Sequence, residues 1–247
     1  GAYILRNITR VNTVCMEEDC CLDGKKVKIT KKFKTGNNIR IKGEDVKKKQ
    51  RIFLSGRKIR SMDLAQLSCI GVKRIKVFKK IRVGIFSSGD ELCEFPKKKS
   101  KYEIYDANKL VLVSLFKKIG CEVNDLGIIK DNYSETKKLI LNKIKSLDVI
   151  ITRGGISKSK TDKIGKFFKN NAQIKFWRLS IKPGRPFAFG KIKNTPFIGL
   201  PGNPVAAIIT FFMLVIDYIK VLSGLKEKQT IERILPCDFE MKKRKGR

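Results

Sequence analysis

Histidine is absent from the 247 residues. That gap excludes every Ser-His-Asp and Cys-His mechanism, and any mixed Cys/His zinc site. Proton transfer must therefore rest on carboxylates, lysines or a metal-bound water. Acids are scarce too: 23 Asp and Glu stand against 56 Lys and Arg, a net charge of +33. The seven cysteines form no CxxC pair and are odd in number, so a disulfide framework is not signalled. Cys69 and Cys121 sit in apolar surroundings and are expected to be small core residues of a reducing, cytoplasmic chain. A signal peptide is missing, and Val205–Val215, the longest strongly apolar run, falls short of the roughly 20 residues that cross a bilayer. The chain starts at Gly1 rather than Met and stops inside MKKRKGR, the pattern expected of a processed protein or a piece of a longer one.

What is present is a real core. Hydrophobic residues make up 42% of the chain and Phe numbers 15, too many for a disordered protein. The positive charge would attract nucleic acid or anionic membrane nonspecifically. Its lysines are scattered, however, with only short clusters such as Lys47–Lys49 and Lys97–Lys99. Aromatics are not interleaved with them as a stacking platform requires. Neither a specific nucleic-acid partner nor a membrane is expected.

Residues 1–60 read as a β-rich module, with strands expected at Val11–Glu17 and Lys25–Thr30 around Asp23-Gly24. Ser61–Ile70 reads as a short helix with Ser61 as its N-cap, apolar positions at Leu64, Leu67 and Ile70, and Gly71 as its stop. Residues 61–79 would bridge to an α/β domain over 80–223, and 224–247 would begin a further β domain. Within 80–223, strands expected at Arg82–Phe86, Glu122–Leu126 and Val149–Ile151 alternate with helices at Ala107–Ile119, Ser134–Ser146 and Thr161–Asn170. That alternation predicts a parallel sheet with crossover helices. Ile174–Ile181, Pro186–Phe189 and Thr195–Leu200 are further strand candidates. Pro201-Gly202-Asn203-Pro204 opens a long apolar helix to about Leu222, and Ile231–Phe239 is strand-like.

Ligands in such folds bind at the carboxyl ends of the parallel strands. Val149-Ile150-Ile151 there runs into Gly154-Gly155, Ser157 and Asp162, which reads either as a tight strand–helix turn or as a phosphate site. Asp90-Glu91, Asp106 and Asp131 occupy neighbouring turns. Converging carboxylates call for a hard cation such as Mg²⁺, although each also reads as an N-cap or turn residue. If Ile174–Ile181 is a strand, Arg178 and Lys182 share a face and could clamp one anion; otherwise Lys182 is an ordinary solvated lysine.

Six motifs in this order carry a resemblance: Ser87-Ser88-Gly89-Asp90-Glu91-Leu92, Ile104-Tyr105-Asp106-Ala107-Asn108, Asp125-Leu126-Gly127 through Asp131, Gly154-Gly155-Ile156-Ser157 with Asp162, Lys182-Pro183-Gly184-Arg185-Pro186, and Gly199-Leu200-Pro201-Gly202-Asn203-Pro204. Together with Asn38-Ile39-Arg40 and Gly43-Glu44-Asp45, they resemble the MoeA family, the molybdopterin molybdotransferases related to the gephyrin E domain. The resemblance implies a MoaB/Mog-like three-layer α/β domain on a parallel sheet, with a small β-rich N-terminal module. It implies insertion of molybdate into adenylylated molybdopterin with release of AMP, assisted by Mg²⁺, in a homodimer that could meet the molybdopterin adenylyltransferase. That adenylyltransferase activity on the same fold, or a nonenzymatic relative, is the competing reading.

The family's roles carry over residue by residue. Glu91, Asp131 and Asp162 would hold the metal and, with Asp90, position the phosphoanhydride. Gly154, Gly155 and Ser157 would cradle a phosphate, and Arg178, Lys182 and Arg185 would neutralise molybdate and phosphate. Ser87, Gly89, Asp106, Pro201, Gly202 and Asn203 would complete the cofactor pocket. Departures from the pattern are Arg153 for a small Ser, Ser159 for Gly, Arg178 for Lys and Ala206 for Ser.

Overall fold

The computed structural model describes residues 11–130, 132–156, 163–226 and 233–240. Its contacts form two compact units. One comprises the described residues of Gly1–Ser55 and Ile59–Lys73, the other Gly56–Lys58 and the described residues of Arg74–Arg247.

In the first unit, β1 (Cys20–Asp23) and β2 (Lys26–Ile29) form an antiparallel hairpin. Gly24 supplies the left-handed residue of its two-residue turn, with φ +58°. Because that turn pairs Asp23 with Lys26, the first strand must be the residues just before it, not Val11–Glu17. Helix α1 (Ser61–Cys69) is capped by Asp63, whose carboxylate accepts the Arg60 N–H at 3.0 Å. The N-cap position is Arg60, one residue before the Ser61 expected there, and Asp63 bonds back to it from the first turn. Only Leu67 of the three expected apolar positions is buried. Cys69 lies about 200° around the helix from Leu67 and is exposed, so it is not a core residue.

The second unit is built on β3 (Arg82–Ser88), β4 (Leu92–Cys93), β5 (Ile104–Tyr105), α2 (Ala107–Lys118), β6 (Glu122–Ile129), α3 (Tyr133–Lys143), β7 (Val149–Arg153) and α4 (Lys163–Asn171). After these come β8 (Gln173–Trp177), β9 (Ala188–Ile192), β10 (Thr195–Leu200), α5 (Pro204–Thr210), a π-helical turn at Phe211–Val215 and α6 (Ile216–Leu222). Six strands make one sheet in the order β6-β3-β7-β10-β9-β8. The first four are parallel, as the strand–helix alternation requires, and β9 and β8 extend them antiparallel.

Burial on both faces explains the continuous apolar strands. Val83, Ile85, Val149, Ile151, Ile198 and Leu200 face Leu112 and Phe116 of α2 and Ala207, Phe211 and Ile219 of the C-terminal helices. Phe86, Ile150 and Phe197 face the other layer, where Ile140 of α3 and Ile164, Phe167 and Phe168 of α4 pack. This is the three-layer arrangement. Cys121 lies in the first core as expected, and burial pushes its thiol up to about 11. Pro204–Leu222 is 19 residues and, by length and composition, apolar enough to cross a membrane, a longer apolar span than Val205–Val215. Its inner face belongs to the core just described.

Two expectations need correction. The strand expected over Ile174–Ile181 stops at Trp177, because Arg178 takes φ +87°. The following loop is closed by Arg178 N–H to Phe187 O at 2.7 Å and Leu179 N–H to Arg185 O at 3.0 Å. Arg178 and Lys182 therefore do not share a strand face. The described residues 233–240 join no strand ladder.

Candidate functional site

The carboxyl ends of β3, β7 and β10 lie side by side, with Ser87 paired to Arg153 and Arg153 to Leu200 in the ladder. The backbone of β7 then turns through Gly154 and Gly155, at φ +82° and +65°. A Cβ on Gly154 would come within 2.8 Å of the Ser88 carbonyl, and one on Gly155 within 2.7 Å of both Ser88 Oγ and Ile164 Cγ2. Paired glycines are thus required by close approach to β3 and α4, in a conformation that L side chains resist. The Gly154 N–H is engaged within the fold, donating to Leu200 O at 3.2 Å.

Buried polar side chains gather around that turn. Asp106 is the N-cap of α2, its Oδ1 accepting the Lys109 N–H at 3.2 Å. The Arg153 guanidinium donates from one Nη to Gly202 O at 2.8 Å, and its other Nη stands 3.6 Å from Asp106 Oδ1. Asn108 donates to the same Gly202 carbonyl at 2.9 Å. Asn203 caps α5, accepting the Ala206 N–H at 3.1 Å. Four buried polar atoms at this edge have no hydrogen-bond partner: Ser87 Oγ, Ser88 Oγ, Asp106 Oδ2 and Arg153 Nε. An unpaired buried polar atom costs about 1–3 kcal/mol; Ser87 and Arg153 are register partners at this edge, while Ser88 lies against the Gly154-Gly155 turn.

Asp90 and Glu91 are exposed at the next turn, where Gly89 N–H reaches Ile129 O at 3.4 Å and Lys130 Nζ donates to Asp90 O at 3.1 Å. That ties the Asp90-Glu91 turn to the end of β6. Asp131, Ser157, Ser159 and Asp162 lie outside the described residues. Among those described, no group of three or more acids or cysteines is placed to hold a metal. Glu91 offers a hard, exposed oxygen donor suited to Mg²⁺. Lys182 and Arg185, with Leu179, Ile181 and Gly184, line a pocket of about 220 Å³. Arg178 is not among the residues lining it. Gly184 there presses on Thr210 of α5, where an added Cβ would meet its Cγ2 at 2.6 Å.

The sequence reading did not assign a role to Ser88, Asn108, Lys109 or Arg153. Lys109 is buried, with Nζ 2.6 Å from Glu94 and 3.1 Å from Asp125. Burial opposes its charge, yet hydrogen bonds to the two carboxylates outweigh that and hold its pKa above the ordinary lysine value. It anchors α2 beside the pocket. An arginine ending a buried apolar strand is the available signal for Arg153, since such a charge must find partners.

Residues 84–221 match a family described as "probable molybdopterin binding domain", and residues 9–71 match the "MoeA N-terminal region (domain I and II)". A molybdopterin molybdenumtransferase from Haemophilus influenzae is 40% identical over 194 residues, covering 78% of this chain and 48% of that protein. One from Nostoc is 29% identical over 218 residues, covering 87% and 50%. A solved molybdopterin biosynthesis MoeA protein from Pyrococcus horikoshii superposes with TM-score 0.70 at 27% identity, covering 87% of this chain and 52% of that one. The chain spans about half the length of the curated relatives it matches.

Proposed function

Because the chain belongs to the MoeA family, we propose that it carries the pterin-binding half of a molybdopterin molybdotransferase. The reaction would place molybdate on the dithiolene of adenylylated molybdopterin and release AMP. The observation that carries this reading is the set of unpartnered buried polar atoms at the carboxyl edge of the sheet, within the segment that matches a molybdopterin-binding family. The MoeA N-terminal match over residues 9–71 favours the molybdotransferase over a single-domain adenylyltransferase.

The chain's own groups would act mainly by position and charge, as phosphoryl chemistry requires. Ser87, Ser88, Asp106 and Arg153 would bind the polar parts of the substrate. Lys182 and Arg185 would offset molybdate or phosphate charge from their separate pocket. Glu91, with Asp131 and Asp162, would hold Mg²⁺. The cation would supply Lewis-acid polarisation of the phosphoanhydride. Homodimer formation belongs to the same proposal.

The test is AMP release from adenylylated molybdopterin by this chain, with and without molybdate and Mg²⁺. Release dependent on both is the expected result. Absence of release together with absence of substrate binding would overturn the proposal in favour of a nonenzymatic relative.

A further inference from the structure

Positive charge collects around a second concavity, which belongs wholly to the first unit. A pocket of about 720 Å³ there is lined by Lys42, Lys47, Lys48 and Lys49, with Val46, Ile52 and Ile70 as its apolar wall. Lys47–Lys49 is one of the few lysine clusters in the sequence, and the function proposed above gives it no role. Two turns shape this loop. Glu44 N–H donates to Ile41 O at 3.0 Å, and Ile41 N–H returns a bond to Glu44 Oε2 at 2.9 Å. Lys47 and Gln50 repeat the arrangement, with Gln50 N–H to Lys47 O at 3.0 Å and Lys47 N–H to Gln50 Oε1 at 2.8 Å. Inside the second turn Lys49 takes φ +67°, a conformation that an L side chain keeps only where its surroundings impose it.

The acids of the same loop are engaged elsewhere: Glu44 bonds back to Ile41, and Asp45 pairs with Arg40. Among the described residues, none of the four lysines is in an ion pair. A cleft lined by charge of one sign with low-dielectric walls focuses its field and concentrates counter-ions. We infer that this pocket binds an anion built of linked phosphates. Its volume is that of a small-molecule site. One phosphate ester carries about −1.5 to −2 at pH 7, roughly half of what four ammonium groups offset, whereas a chain of about three matches them. A divalent cation is repelled by the same lysines. None of the lining residues is aromatic, so the stacking platform that single-stranded nucleic acid requires is missing. Ammonium groups bind phosphate as point charges without a fixed fork, which suits exposed side chains on a loop. The inference does not rest on the proposed function, since AMP release is not its readout.

The probe is inorganic tripolyphosphate, titrated by calorimetry into the whole chain, with orthophosphate, ATP and an oligoglutamate peptide titrated in parallel. Tripolyphosphate is expected to bind, and orthophosphate about tenfold more weakly or worse. Lys47→Ala, Lys48→Ala and Lys49→Gly should each weaken tripolyphosphate binding about fivefold, the upper scale of one exposed ion pair. Lys97→Ala/Lys98→Ala removes two cations that do not line the pocket and should leave that binding unchanged. Lys49→Gly also relieves the left-handed backbone, so a melting temperature no lower than the parent's separates lost binding from lost folding. ATP bound through the same lysines would identify a nucleotide's phosphate chain as the ligand, and tripolyphosphate bound without ATP an inorganic chain; both support the inference. Equal losses in the pocket variants and in Lys97→Ala/Lys98→Ala would mean attraction by the net charge of +33 and overturn it. So would parent affinity in all three pocket variants. Oligoglutamate bound more tightly than tripolyphosphate would also overturn it, in favour of an acidic protein partner.

Discussion

Single side chains decide more here than their number suggests, because so few acids are available to balance the cations. Asp148 accepts from the Arg82 main-chain N–H at 2.8 Å and from its guanidinium at 3.1 and 2.9 Å. Those hydrogen bonds from Arg82, opposed by partial burial, hold the Asp148 carboxyl below its ordinary value. A depressed carboxylate contributes stability above its unfolded pKa of about 3.9, and that contribution is lost as pH falls through the lower folded value. Asp148→Asn should therefore lower neutral-pH stability by about 1 kcal/mol and flatten the acid limb of a melting-temperature profile below about pH 5. An unchanged acid limb would remove this pair from the acid response. Asp106 teaches a related lesson. Its N-cap role was legible in Tyr105-Asp106-Ala107-Asn108, and the structure assigns Oδ1 to that cap and leaves Oδ2 without a hydrogen-bond partner. Arg153 stood out in the sequence only as a departure. Whether it helped or blocked could not be read, because its partners come from residues 47 positions or more away in the chain.

Elements were legible where burial on both faces forces a continuous apolar run. Val149–Ile151 was found on that signal, its strand running on to Arg153, and the candidate Thr195–Leu200 is a strand over those residues. The failure at Ile174–Ile181 has a different cause. Its alternation suits a strand, but the left-handed φ at Arg178 is set by the loop closing onto Phe187, a tertiary event with no local signature. The long helix behaves likewise. An apolar face gives no hint that Phe211–Val215 adopts a π turn, which shifts the register of α6 relative to α5. The start of α5 was legible, since Asn-Pro marks an N-cap followed by Pro at the first turn. Asn203→Ala should cost about 1 kcal/mol of stability, read by chemical denaturation. Under the proposed function it should also raise the KM for adenylylated molybdopterin, since the cap fixes the turn that carries Gly202. A stability loss with an unchanged KM would make Asn203 a cap and nothing more.

At the scale of the whole molecule, the sheet order places the last parallel strand beside the middle of the sheet. β10 pairs with β7 on one side and β9 on the other, and brings Phe197, Ile198 and Leu200 into both cores. A chain ending before Thr195 should show no cooperative melting transition, whereas one ending after Lys226 should keep it. A sharp transition in the shorter chain would mean that β3, β6 and β7 fold without their neighbour. The same order sets a schedule for synthesis. Once β7 has left the ribosome, 47 residues separate Arg153 from Leu200, a wait of a few seconds at about 5–20 residues per second. Throughout that interval the Val149-Ile150-Ile151 edge is an open template for another nascent chain. Crowded polysomes are therefore where this protein is most exposed to aggregation, and a holdase that covers β7 until β10 arrives would raise its yield without altering the finished fold.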